Sequence, residues 1–178
     1  MDAVFIDESQ TFSWFFKRYF SFTNKHIAYS SIASHLGWGL PFACGSSVHF
    51  KNKKIVCLIS DASFLLGVQT LVTLSKYNLP VFAIIMNNGG FSSLKLEMQN
   101  YVKFKTQKID YLSLPQDILS YNSIATGMGV PSITTDKPSN LLEQISRSYK
   151  IKGPSLLDVK LNNDLKIWGQ GWYKAPAR

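Results

Sequence analysis

Residues 54–90 read KIVCLISDASFLLGVQTLVTLSKYNLPVFAIIMNNGG, and this stretch decides the fold. Its two apolar runs, Lys54 to Ile59 and Val81 to Met86, show no polar alternation, the mark of strands covered on both faces. Between them Ser63 is placed to cap a helix from about Phe64 to Lys76, and Tyr77-Asn78-Leu79-Pro80 makes a turn. Strand, helix and strand with short connections predict a parallel pair, whose ends lie at one rim. Asp61 follows the first strand, and Asn88 follows the second 27 residues later. A carboxylate, an amide oxygen and a carbonyl of the Gly89-Gly90 loop converge there. Three oxygens at one point suit a hard cation, and a cation beside a helix N-terminus suits a diphosphate. The structural alternative is a capping Asp61 and an ordinary turn over 87–90.

Outward from this core the same alternation continues. Ala3 to Ile6 is a short apolar strand, and Ser9 or Thr11 caps a helix through Trp14, Phe15, Arg18 and Tyr19. Ala28-Tyr29-Ser30 is a second short strand. A helix runs from about Trp38 to Val48, with Pro41 in its first turn and small residues for close packing. Phe91 to Tyr101 reads as a short helix, and Lys103 to Pro115 as a loop over the site. Pro115 to Thr126 reads as a helix ended by Gly127 and Gly129, followed by a strand over Val130 to Thr134. Lys137 to Tyr149 is a helix, and Gly153-Pro154 turns into a last strand, Ser155 to Leu161. The expectation is a three-layer α/β domain, a mostly parallel sheet with helices on both faces, over residues 1–161, and a C-terminal tail over 162–178 without clear period.

The 178 residues suffice for one cored domain, and 46% apolar content excludes a disordered chain. Only 17% are charged, which points to surface covered by another subunit. The net charge of +8 comes from scattered lysines, and Lys51 to Lys54 reads as a solvated turn rather than a nucleic-acid patch. Cys44 and Cys57 lack CxxC spacing and read as small buried residues in a reducing compartment; His26, His35 and His49 lack metal-ligand spacing. No apolar run reaches about 18 residues, and Met1-Asp2-Ala3 does not open a secretory signal. The expectation is a cytoplasmic protein without membrane or nucleic-acid partners.

Leu36-Gly37-Trp38-Gly39-Leu40-Pro41, the Ser60-Asp61-Ala62 to Asn87-Asn88 motif and Lys152-Gly153-Pro154-Ser155-Leu156-Leu157-Asp158-Val159, in this order and spacing, resemble the C-terminal, diphosphate-binding (PP) domain of thiamine diphosphate enzymes. The pattern is most similar to the benzoylformate decarboxylase and acetolactate synthase branch, over about residues 3 to 161. The resemblance implies thiamine diphosphate and Mg2+ as cofactors, with Asp61, the Asn88 side chain and the Gly90 carbonyl as metal ligands. It implies that Ser60 stands in the diphosphate motif, that Ala62 and Ser63 face the diphosphate, that Leu36 is the apolar wedge bending the cofactor, and that the Ser34 carbonyl meets its aminopyrimidine. Ser93, Leu94 and Glu97 fall on the segment lining the substrate pocket. Three departures stand out. Ser60 and Ala62 replace the glycines of the usual Gly-Asp-Gly, and if position 62 needs positive φ, alanine there costs roughly 1–2 kcal/mol. Ser34-His35 replaces small residues. Glu97 puts a charge where members acting on aromatic substrates place an apolar side chain, which argues against a benzoyl substrate unless the carboxylate turns to solvent.

The resemblance also implies that the catalytic glutamate lies outside this chain, on a pyrimidine-binding (Pyr) domain supplied by another subunit or by further sequence of the same gene, in a homo- or hetero-oligomer. The function expected is the cofactor-binding component of a 2-oxo acid decarboxylase. Alternatives are an acetolactate synthase-type carboligase component and a non-catalytic subunit or remnant with weakened cofactor binding. A flavodoxin-like nucleotide-binding domain is the outlying reading, because no glycine-rich phosphate fingerprint follows the first strand.

Overall fold

The computed structural model describes residues 3–31, 35–101 and 110–168. Its strands are β1 (Ala3–Glu8), β2 (Ile27–Ser30), β3 (Lys54–Ser60), β4 (Val81–Asn87), β5 (Ser132–Thr135) and β6 (Ser155–Lys160). They form one sheet in the order β2-β1-β3-β4-β6-β5, with each neighbouring pair parallel. Helices α1 (Ser13–Tyr19), α2 (Gly39–His49), α3 (Asp61–Gly67), α4 (Thr70–Lys76), α5 (Ser92–Tyr101), α6 (Tyr121–Gly127) and α7 (Pro138–Tyr149) connect and cover it.

Two cores explain the unbroken apolar strands. One face of the sheet presents Val4, Ile6, Ile55, Cys57, Ile59, Val81, Ala83, Ile85 and Leu156 to Leu40 and Ala43 of α2, Phe64 of α3, Leu71 and Leu74 of α4, and Tyr121 and Ala125 of α6. The other presents Phe5, Val56, Leu58, Phe82, Ile84, Met86, Leu157 and Val159 to Phe16 of α1 and to Leu141, Ile145 and Tyr149 of α7. Successive strand residues feed opposite layers, so a strand buried on both sides carries no polar positions. This is the three-layer α/β architecture expected.

The topology also fixes where a ligand sits. From β1 the chain runs outward to β2, then crosses back past β1 to β3. Helix α1, after β1, packs on one face, whereas α3 and α4, after β3, pack on the other. The carboxyl ends of β1 and β3 therefore flank a crevice, the place where ligands settle in open α/β sheets.

Several element boundaries differ from the sequence reading. β1 extends to Glu8, two residues past the expected Ala3–Ile6, and buries Asp7 and Glu8. The helix expected over Phe64–Lys76 is two, α3 and α4, because Leu71 N–H bonds the Val68 carbonyl and Val72 N–H the Gln69 carbonyl, a tighter three-residue pattern. Its cap is Ser60 rather than Ser63: the Ser60 hydroxyl accepts from the Ser63 amide. No side-chain cap bond forms at the start of α1; Ser9 instead donates its amide and hydroxyl to Asp7. Helix α6 starts only at Tyr121, after a turn at Pro115, because the Ser120 hydroxyl caps it through Ser123 N–H. Residues 102–109, most of the loop expected over the site, lie outside the described residues. In the tail, residues 165–168 make a helical turn, and Trp168 is buried with its ring 5.7 Å from Phe15.

At the opposite, amino rim, the Lys54 ammonium donates to the carbonyls of Ile151 (2.6 Å) and Gly153 (2.9 Å), tying the α7–β6 turn to the start of β3. Burial pushes its pKa down to about 8 from an ordinary 10.5. Between those values the unfolded chain holds more protons than the folded one, so this group makes stability rise with pH. The urea midpoint of the protein is therefore expected to climb between pH 8 and 10 relative to that of Lys54→Met, with a constant difference below pH 8. A second expectation concerns Tyr121, fully buried with a hydroxyl that has no hydrogen-bond partner. Tyr121→Phe should gain about 1 kcal/mol in urea denaturation, by removing an unsatisfied polar group.

Candidate functional site

A cleft of about 250 Å³ opens at the carboxyl rim. Leu36, Ser60, Ala62, Asn88, Gly90, Ser93, Leu94 and Glu97 all line it, so eight residues singled out from sequence meet in one place. Asp61 and Ser63 lie fully buried beneath. Ser34 lies outside the described residues.

Asp61 opens α3, and its carboxylate organises the site. Oδ1 accepts the Ala62 amide at 2.8 Å, and Oδ2 accepts the amides of Gly89 and Gly90, each at 2.8 Å. The end of β3 is thereby clipped to the loop after β4. Burial pushes the Asp61 pKa up to about 6, against those three amides, which favour the charged form. Lys95 on α5 donates to the Ser113 hydroxyl at 2.8 Å; burial lowers its pKa, while Asp61 and Asp110 act in the opposite sense.

The two asparagines divide their work. Asn87 donates its amide to Asp158 at 3.0 Å, and Thr134 also donates to that carboxylate, at 3.3 Å. Burial raises the Asp158 pKa, which these two bonds and Lys160 counter. The Oδ1 atoms of both asparagines are buried without a hydrogen-bond partner, and Asn88 is the one of the two that lines the cleft. The next turn is built for close approach. Gly90 has φ +130°, and a Cβ there would sit 2.5 Å from the Leu112 carbonyl oxygen. Gly90 pairs with Ser113, Leu114 N–H bonds the Gly89 carbonyl, and Ser92 N–H bonds the Gly90 carbonyl.

These residues fit a magnesium ion. A buried amide oxygen lacking a partner, beside a carboxylate and a glycine-loop carbonyl, is a hard-oxygen donor set. Among the described residues no three His, Cys, Asp or Glu side chains gather to hold a metal, so these oxygens would offer only a partial shell, with positions left for further oxygen ligands.

Two expectations are corrected. The Ser63 hydroxyl does not face the cleft: it accepts from the Ser60 hydroxyl at 2.8 Å and hydrogen-bonds Glu8. Its amide bonds the Ser60 hydroxyl, and that of Ala62 bonds Asp61. The feared strain at position 62 is absent. Ala62 sits in the first turn of α3, and the non-glycine residues with positive φ among those described are Gln10 and Asn78. Ser60 is extended and caps α3, so both departures from glycine are accommodated.

Three further residues belong here. Gln10 and Thr11, in the 3-10 turn after β1, line the same cleft, Gln10 with φ +50°. Glu8 ends β1 at 2% exposure and accepts the amides of Gly37 and Gly39 at 2.5 Å each. Burial raises its pKa, against the amides of residues 37–39 and the Ser63 hydroxyl. The sequence signal was partial: an acidic pair follows the apolar run Ala3–Ile6, but that β1 continues to Glu8 is set by residues distant in the chain. A neighbouring cleft of about 320 Å³ lies along Asp7, Glu8, Trp14, Lys17 and Trp38.

The family model described as thiamine pyrophosphate enzyme, C-terminal TPP binding domain, matches residues 9–159. The acetolactate synthase large subunit of Porphyra purpurea is 24% identical over 163 residues, which cover 92% of this chain and 27% of that protein. The corresponding subunit of Cyanidium caldarium is 28% identical over 129 residues, 72% of this chain and 22% of that one. Among solved structures, a thiamine diphosphate-dependent 4-hydroxybenzoylformate decarboxylase from Rhodococcus jostii superposes with a TM-score of 0.83 and 25% identity over 92% of this chain and 30% of that one. A benzoylformate decarboxylase from Polynucleobacter necessarius shares the fold, with a TM-score of 0.81 at 22% identity over 91% of this chain and 30% of that one. The chain thus spans less than a third of the length of these relatives.

Gly90→Ala is expected to lower the thermal midpoint by about 5 °C, the effect of about 2 kcal/mol of overpacking in a chain of this size. Gly45→Ala on α2, where an added Cβ meets nothing within 4 Å, should leave the midpoint unchanged or raise it slightly.

Proposed function

The chain belongs to the thiamine pyrophosphate enzymes, whose C-terminal TPP-binding domain it carries, and from that premise we propose that it is the thiamine diphosphate- and Mg2+-binding component of a 2-oxo acid decarboxylase. The observation carrying this reading is the orphaned Asn88 Oδ1 beside the Asp61–Gly90 clip, at the crevice where β1 and β3 part. Asp61, Asn88 and the Gly90 carbonyl hold the metal, which anchors the diphosphate. Gln10 and Thr11 flank the same cleft from β1, and Leu36 supports the cofactor's organic half. Thiamine diphosphate, when bound, supplies the electron sink that cleavage next to a carbonyl needs. Ser93, Leu94 and Glu97 stand at the substrate end of the cleft. Glu97 is exposed there, so its carboxylate is free to turn to solvent and its charge does not exclude a benzoyl group.

In this reading the catalytic glutamate comes from a Pyr-type domain, on another chain or elsewhere in the same gene. Supporting this is the chain's small share of its relatives' length. Exposed apolar side chains beside the Leu36 loop give that domain a seat: Tyr29 and Phe42 in ring contact at 5.2 Å, with the half-buried Trp38 against Phe42 at 5.6 Å, and Leu66 near Gly37. The reading includes a cytoplasmic location, suited to the free thiols Cys44 and Cys57. No helix among the described residues is long and apolar enough to cross a membrane. A second reading, a carboligase component, is favoured by the acetolactate synthase relatives. The remnant reading rests on Ser60 and Ala62, and the absence of backbone strain at Ala62 weighs against it.

The test is calorimetric titration with thiamine diphosphate, first with Mg2+ and then with EDTA. Binding should require the metal, and Asp61→Ala should weaken it by at least about 100-fold, more than loss of an outer-shell partner; unchanged affinity in that variant sinks the assignment. Replacing both Ser60 and Ala62 with Gly should change affinity by no more than about twofold, well under the cost of one hydrogen bond to a charged group. A sharp gain would instead revive the remnant reading.

A further inference from the structure

Glu8 is the buried acid that the reading above leaves without a task. Its carboxylate ends β1, a strand paired on both sides, by β2 and by β3. It reaches 29 residues along the chain to the Gly37 amide through Oε1 and 31 residues to the Gly39 amide through Oε2. The Trp38 amide lies toward the same group. Amides of one short loop turned on one carboxylate, those of Gly37 and Gly39 hydrogen-bonded to it, make an anion nest filled by the protein itself. Helix α2 starts at Gly39 and has no side-chain cap of its own, so Glu8 also satisfies donors that its first turn leaves open. The contact is close enough to dictate sequence: a Cβ on Gly39 would lie 2.6 Å from Glu8 Oε2. Behind the carboxylate stands a relay in which the Ser60 hydroxyl donates to that of Ser63, and Ser63 hydrogen-bonds Glu8.

What this clamp holds in place is Leu36, the residue immediately before the first clamped amide. Leu36 lines the cleft with Ala62 and Asn88, and Glu8 itself does not. We propose that Glu8 is a positioning residue for the cofactor: by gripping the amides of Gly37 and Gly39 it sets Leu36 against the heterocyclic half of the ligand, beyond the diphosphate. This rests on the thiamine diphosphate reading of the site. The clamp contributes nothing to a ligand that is only a diphosphate, and a general loss of structure would weaken both kinds of ligand alike.

The experiment compares two ligands, each with Mg2+, on the full chain: thiamine diphosphate and inorganic pyrophosphate. The unaltered protein should bind the first more tightly than the second. Glu8→Gln keeps the shape but turns an amide N–H2 toward one of the glycine amides. It should lose about tenfold or more in thiamine diphosphate affinity, the scale of one charge-assisted hydrogen bond, and stay within about twofold for pyrophosphate. Leu36→Ala, which leaves the clamp intact, should reproduce that selective loss and keeps the test decisive if Glu8→Gln does not fold. Equal losses for both ligands, or unchanged thiamine diphosphate affinity in either variant, would overturn the clamp while leaving the site reading in place. An unaltered protein that binds neither ligand would overturn the site reading, and the clamp with it. One that binds pyrophosphate as tightly as thiamine diphosphate would overturn the clamp alone.

Discussion

The arrangement at the carboxyl rim depends on one buried carboxylate. Asp61 stands at the junction of β3 and α3, and both of its oxygens are spent on backbone amides, one local and two across the sheet at Gly89 and Gly90. Those bonds hold two strand ends and a glycine turn in one geometry. They also keep an acid charged-ready in a place where burial disfavours charge. A carboxylate so placed is costly by itself and favourable once a cation is near. The surroundings serve that carboxylate: the Asn87–Asp158–Thr134 network steers one asparagine inward and leaves its neighbour to the cleft.

Glu8 repeats the same device one strand over. It too ends a strand, is buried, and binds backbone amides of a glycine-containing loop. The two acids flank the point where the helices part to opposite faces. The loops they grip, Gly37–Gly39 and Gly89–Gly90, border the cleft through Leu36 and Gly90. The cleft is thus built by backbone held on carboxylates rather than by a mesh of side chains, which suits a ligand recognised mainly through phosphate and metal.

The architecture was legible in the sequence because burial on both faces leaves its own pattern: Ile55 to Ile59 and Val81 to Met86 are apolar at every position. The metal-site candidates were legible because Asp61 and Asn88 end those very strands. What escaped was set by contacts between distant segments. Nothing local in Asp7-Glu8 says that β1 continues through it; the amides that make burial tolerable come from residues 37 and 39. Thr11 read as a helix cap and Gln10 carried no reading of its own, and only the position of β1 beside β3 turns them toward the cleft. Helix boundaries moved where the capping serine differs from the one expected: the Ser60 hydroxyl takes the Ser63 amide, and the Ser63 hydroxyl accepts from Ser60. Tyr121 was legible as a helix residue, but not as one whose hydroxyl would be buried among Phe64 and its neighbours.

The paired asparagines have a consequence for how this chain can change. Along an extended strand, neighbouring side chains leave in opposite directions, so position parity decides which residue meets β6 and which meets the cleft. Asn87 bonds Asp158, and Asn88 faces the ligand space. Two identical residues in adjacent places are therefore not redundant copies. A single insertion or deletion within β4 would trade their duties, carry Gly89 and Gly90 off the Asp61 carboxylate, and send the apolar side chains on one side of the change to the wrong layer. Substitution is open to this rim, as Ser60 and Ala62 at the β3–α3 junction illustrate, whereas a change of length is closed between Val81 and Gly90.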